Sequence, residues 1–91
     1  MEVMNYSLTF SQTAIEELRY VRQHKPSLQA KIDRLIQELA EHPLTGTGKP
    51  EKLRYNLAGC LSRRINREDR LVYRINEEEK IVSIESLLGH Y

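Results

Sequence analysis

One cysteine, one phenylalanine and no tryptophan stand in 91 residues, and each scarcity removes a class of explanation. Cys60 is alone, so no internal disulfide can form, and a reducing compartment, the cytoplasm, is the expected setting. A zinc site built on thiolates needs several of them, and none is expected here. No apolar run approaches the roughly 20 residues that span a bilayer, and no signal-peptide pattern is seen, so neither a membrane role nor export is expected. Four glycines and three prolines leave no linker between domains, and a single domain over residues 1–91 is the expectation. A net charge of +1 excludes a general polycation.

What is present is a segregation of charge. Residues 1–48 carry five Lys/Arg against six Asp/Glu, and residues 75–91 carry one against four. Residues 49–74 carry eight against three. A basic middle in a nearly neutral chain is a local anion site, although solvated charge on an edge strand explains the count equally well.

Hydrophobic periodicity places the elements. Residues 5–10 read as a strand with Tyr6, Leu8 and Phe10 on one face. Ser11 caps a helix reaching about Gln23, with Ile15, Leu18 and Val21 inward. After Pro26, Ser27 opens a second helix whose Leu28, Ile32, Leu35, Ile36 and Leu39 recur at helical spacing, until His42 and Pro43 end it. Residues 44–50 form a loop. Strands are expected over 52–57, 60–65, 70–76 and 80–87, with Glu77, Glu78 and Glu79 in an exposed turn. The fold class is α+β, an N-terminal strand and a two-helix hairpin packed on one face of a twisted antiparallel β-sheet.

Side-chain parity then sorts the basic residues. Leu53, Tyr55 and Leu57 share a face, leaving Arg54 on the other; Leu71, Tyr73 and Ile75 share a face, leaving Arg70, Val72 and Arg74 on the other. Cys60, Ser62 and Arg64 lie opposite Leu61 and Ile65. If Leu57 pairs with Leu61, Arg54 falls opposite Arg64; if Ile65 pairs with Asp69, Arg64 falls opposite Arg70. The expected result is a row of three arginines facing away from the helices. Like charges placed opposite one another destabilise a sheet, whereas a phosphate-binding floor tolerates them. Arg63 is left on the helix side, to snorkel or to pair with a helix acid.

These parts suit RNA cleavage by the substrate's own 2′-OH. That reaction needs a base, positive charge on the phosphate oxygens, and an acid at the leaving 5′-oxygen. Glu51 lies just before the strand of Arg54, and His90 titrates near neutral pH. The sequence leaves base and acid interchangeable between them. Tyr91 can stack on a base or donate to a phosphate. Bland readings stand beside these: a surface glutamate, a frayed terminal histidine, a terminal tyrosine packed on apolar surface. Tyr20, Tyr55 and Tyr73 are expected in the core, Cys60 as a small buried hydrophobe, and His24 and His42 at helix ends.

The motifs Gly48-Lys49-Pro50-Glu51, Leu53, Asn56-Leu57, Gly59, Ser62-Arg63-Arg64-Ile65, Arg70-Leu71-Val72-Tyr73 and His90-Tyr91 occur in an order that resembles the YoeB toxins of the RelE-like superfamily. The resemblance covers residues 48–73 and the last two most strongly. It implies a RelE-like fold and a type II toxin: a ribosome-dependent endoribonuclease that cuts mRNA in the A site without metal or cofactor and so inhibits translation. It carries the catalytic roles onto Glu51, Arg64, Arg70, His90 and Tyr91, and RNA binding onto Lys49, Arg54 and Arg74. The implied partners are a YefM-like antitoxin, the ribosome and mRNA; toxins of this type are often dimeric, so a homodimer is among the expected assemblies. Cys60-Leu61 and Leu88-Gly89 depart from the aromatic or basic residues usual there. A non-catalytic module that binds RNA or antitoxin is the competing reading.

Overall fold

The computed structural model describes residues 5–44, 50–53 and 58–88. Strand β1 (Ser7–Phe10) leads into helix α1 (Gln12–His24). Ser11, in extended conformation, caps α1 by accepting the Ala14 N–H on its Oγ at 3.0 Å. Pro26 then starts a short 3₁₀ turn, Pro26–Leu28, because it fixes φ and offers no N–H, and α2 (Gln29–Glu41) returns beside α1. Strands β2 (Glu51–Lys52), β3 (Leu61–Arg64), β4 (Arg70–Asn76) and β5 (Ile81–Ser86) complete one five-stranded sheet in the order β1-β5-β4-β3-β2.

One apolar face of the sheet meets one apolar stripe of each helix. Ala14 and Val21 of α1 and Ile32, Leu35 and Leu39 of α2 are buried with Leu71, Tyr73, Val82 and Ile84. Tyr6, Leu8 and Phe10 pack against this core. The expected layering therefore holds, with three corrections. The sheet is not wholly antiparallel: β1 runs parallel to β5, Leu8 facing Val82 and Phe10 facing Ile84. The helical hairpin returns the chain in β2 opposite to β1, and the three antiparallel pairings from β2 to β5 bring β5 back to the direction of β1. Ile15, expected inward, is 40% exposed, and Ala14 takes the inward position. Tyr20 is 47% exposed and lies against His24, ring centroids 4.6 Å apart.

Arg63 is fully buried on the helix side. Its Nη1 donates to Glu38 Oε1 of α2 at 3.2 Å, its Nη2 donates to the His42 carbonyl, and its guanidinium lies 5.8 Å from the Tyr73 ring centroid. Tyr73 donates its hydroxyl to the Pro43 carbonyl at 2.7 Å. The arginine that parity left on the apolar side thus clasps the end of α2 to the sheet, pairing with a helix acid as anticipated. Burial raises the Tyr73 hydroxyl pKa, and the neighbouring Arg63 charge offsets part of that rise.

Candidate active site on the open sheet face

The β3–β4 turn sets the site's geometry. Asn66 Oδ1 accepts the N–H groups of Glu68 and Asp69 at 2.8 and 2.7 Å, and the Ile65 N–H donates to the Asp69 carbonyl at 2.9 Å. This tight turn brings Arg64 directly opposite Arg70, as the pairing of Ile65 with Asp69 predicts. Both project away from the helices, beside Ser62 and Val72, which pair with each other.

Pairing on the other side of β3 departs from expectation. Glu51 faces Ser62 and Lys52 faces Leu61, and the Leu53 N–H donates to the Cys60 carbonyl at 3.0 Å. Leu61 thus has Lys52 as its partner where Leu57 was expected, while Arg54 and Leu57, and with them the third member of the expected arginine row, lie outside the described residues. The observed register instead sets a carboxylate beside an arginine.

That carboxylate is the centre of the arrangement. Arg70 donates from Nη2 to Glu51 Oε1 at 3.3 Å and from Nη1 to Ser62 Oγ at 3.0 Å. Arg70 is largely sheltered, its side chain 15% exposed, while Glu51 is 54% exposed and reachable from solvent. Arg64 is exposed and has no ion-pair partner among the described residues. One arginine is thus held by the acid and by Ser62, and its neighbour across the strand pair is available to an incoming anion. Ser62 is buried and fixes the Arg70 fork; parity placed it on this face, but only the register shows the contact.

Arg74 lies on the same face four residues along β4, about 13 Å from Arg70 at ordinary strand rise. It is 4.0 Å from Glu85 and its guanidinium lies beside Gly59. A Cβ on Gly59, whose φ is +92°, would stand 3.0 Å from Arg74 Nη1. Glycine is needed there for its left-handed backbone first and for the arginine's approach second. Cys60 is buried, as expected of a small hydrophobe. Lys49, Arg54, His90 and Tyr91 lie outside the described residues, as does Tyr55. β5 ends with Ser86 opposite Val72, and because it runs antiparallel to β4 it is heading toward the Arg70 end of that strand. A cleft of about 550 Å³ between the helix-hairpin tip and the β3–β4 turn, lined by His24, Lys25 and Arg67 among others, holds none of these residues. Among the described residues no three His, Cys, Asp or Glu side chains come together as a metal would need.

A family model for the YoeB-like toxin of bacterial type II toxin-antitoxin systems matches residues 10–91. The chain belongs to the YoeB toxin family. The YoeB toxin of Synechocystis is 37% identical over 82% of this chain and 87% of its own length. A YoeB/ParE toxin from Agrobacterium tumefaciens superposes with a TM-score of 0.87 at 29% identity, covering 93% of this chain and 99% of that one. YoeB from Staphylococcus aureus, 40% identical, has been solved in complex with YefM, with a TM-score of 0.82 over 94% of this chain and 98% of that one, and also as a dimer. Membership in the YoeB family accords with the α+β layering.

Proposed function

We propose that this YoeB-family toxin is a metal-independent endoribonuclease that enters the ribosomal A site and cuts the mRNA there by attack of the 2′-OH on the adjacent phosphate. The observation that carries the reading is the grouping of Glu51, Arg64 and Arg70 on a face that RNA can reach. Glu51 takes the 2′-OH proton as general base. Arg64 and Arg70 hold the non-bridging oxygens as charge builds on them, and His90 protonates the leaving 5′-oxygen. Tyr91, Lys49, Arg54 and Arg74 position the RNA. In the free toxin the Glu51–Arg70 pair holds the acid at the floor; an incoming phosphate competes for Arg70 and frees the carboxylate to act as a base.

A YefM-like antitoxin is the expected neutralising partner, since the S. aureus relative is seen with one, and a homodimer accords with the dimer of that same relative. The protein is read as cytoplasmic; among the described residues no helix is long and apolar enough to cross a membrane. The test is an in vitro translation reaction with mapping of mRNA 5′ ends, using wild type and Arg64→Ala. New ends at A-site codons with wild type alone support the reading. Binding without cleavage by the wild type would establish the non-catalytic module instead. Chelator added after ribosome assembly should leave cleavage intact, and the products should end in a 2′,3′-cyclic phosphate or its opened form.

A further inference from the structure

Arg70 is held from both of the strands beyond its own, and only one of those holds has to yield to a substrate. Its Nη2 donates to Glu51 Oε1 of β2 at 3.3 Å, and its Nη1 donates to Ser62 Oγ of β3 at 3.0 Å. Water reaches the Glu51 carboxylate, whereas Ser62 is fully buried. The hydroxyl is therefore the acceptor that solvent cannot replace.

Strand pairing gives this contact a direction. Arg64 is the residue opposite Arg70, and Ser62 lies two positions back along β3, about 7 Å away at ordinary strand rise. Arg70 thus leans diagonally across β3 toward Glu51 and away from Arg64. Two like charges that start opposite one another are drawn apart, and a phosphate seated between them meets a guanidinium on either side. The residue after Ser62 ties this point down. Arg63 turns to the helix side, where it is fully buried and donates to Glu38 at 3.2 Å and to the His42 carbonyl. A hydroxyl on a strand anchored in this way is a fixed point to which the guanidinium must come.

We propose that Ser62 is the positioning residue for Arg70, the point that keeps its guanidinium in place while Glu51 gives way to the phosphate. The proposal rests on the reading of Arg70 as the cation that steadies the reacting phosphate. Ser62 acts only through Arg70. Once phosphate has displaced the Glu51 carboxylate, the bond to Ser62 is the hold that remains; without it the arginine is free to follow the carboxylate. A cation displaced by about 1 Å still attracts RNA but no longer meets the developing charge, so the loss falls on the chemical step.

The experiment is single-turnover cleavage on preformed ribosome–mRNA complexes at saturating toxin, beside a ribosome-binding measurement, for Ser62→Ala, Arg70→Ala and the double variant. Ser62→Ala should slow cleavage about 10- to 10²-fold, the weight of a hydrogen bond to a charged group, with binding unchanged within about threefold. Ser62→Cys, close in volume but a weak acceptor, should be slowed alike. With Arg70 already removed, the change at Ser62 should matter by less than about twofold. Equal slowing in both backgrounds overturns the proposal, as does wild-type cleavage by Ser62→Ala while Arg70→Ala is slow. Should Arg70→Ala leave too little cleavage to compare, side-chain nitrogen spectra decide the matter. Rotation of the Arg70 guanidinium should be faster in Ser62→Ala, and an unchanged rotation overturns the proposal. Wild-type cleavage by Arg70→Ala would instead overturn the reading of that arginine, and this proposal with it.

Discussion

Replacing Arg63 with alanine should destabilise the protein by about 3–5 kcal/mol, the cost of breaking a buried ion pair, whereas the same change at Arg64 next door should cost nothing. Arg63 is wholly buried and is held by Glu38 at 3.2 Å, by the His42 carbonyl and by the Tyr73 hydroxyl at 3.4 Å. Glu38 retains 26% exposure, so water softens its loss and places the expected value near the lower end, about 3 kcal/mol. A small domain has only about 5–15 kcal/mol in total. Arg63→Met, which restores volume without charge, combined with Glu38→Leu should recover at least part of the loss, since apolar replacement of a buried pair is often neutral. Arg64 faces Arg70 across the strands, and removing one of two like charges should change stability by no more than about 0.2–1 kcal/mol, in the favourable direction. Urea unfolding monitored by midpoint and slope measures both. A loss below about 1 kcal/mol for Arg63→Ala would refute the clasp, as would an equal loss at Arg64.

Three further outcomes are expected. Glu51→Gln should lower cleavage by about 10²–10⁴-fold while moving stability by less than about 1 kcal/mol, because its pair with Arg70 is largely solvated; cleavage assays beside urea titrations check this, and near-normal cleavage would remove Glu51 as base. Burial lifts the Tyr73 hydroxyl above its ordinary pKa, so the unfolded chain ionises first. Stability should therefore be level below about pH 10 and fall as pH rises through the lifted value; Tyr73→Phe should cost about 1 kcal/mol at neutral pH and flatten that alkaline decline in urea midpoints. Gly59→Ala should lower the melting temperature by about 4–8 °C for each kcal/mol lost, because alanine resists a φ of +92° and its Cβ meets Arg74.

Legibility in the sequence followed the range of the interactions involved. The Ser11 cap, the break at Pro26 and the helical recurrence of Ile32, Leu35 and Leu39 are local, and the elements they mark formed within a residue or two of expectation. The facing of Arg64 with Arg70 was legible because only five residues join the two strands. The pairing of β2 was not, since the connection from Leu53 to Cys60 lets several registers keep alternation, and the one adopted sets Glu51 opposite Ser62. Ile15 was misplaced because Ala14, one residue earlier, points inward, and a small side chain carries little weight in a hydrophobic pattern. Glu17 gave no signal at all. An acid on the middle of an amphipathic helix looks like solvated charge, and its contacts with Leu87 and Leu88 span 70 and 71 positions of sequence.

Thr9 Oγ1 donates to Ser83 Oγ at 3.0 Å across 74 positions of sequence, and that separation matters while the protein is being made. β5 lies between β1 and β4, so a nascent chain that has exposed both helices and even the arginine strands still lacks the strip that joins them. The closure entropy of so long a loop is met only when the last strand leaves the exit tunnel. Growing chains are therefore expected to lack a folded sheet until β5 is made, even though Glu51, Arg64 and Arg70 are already synthesised. A reading frame interrupted anywhere before the codon for Ile81 should yield a chain whose first strand has no partner and whose two layers stay unjoined, so folding waits on the last strand to be made.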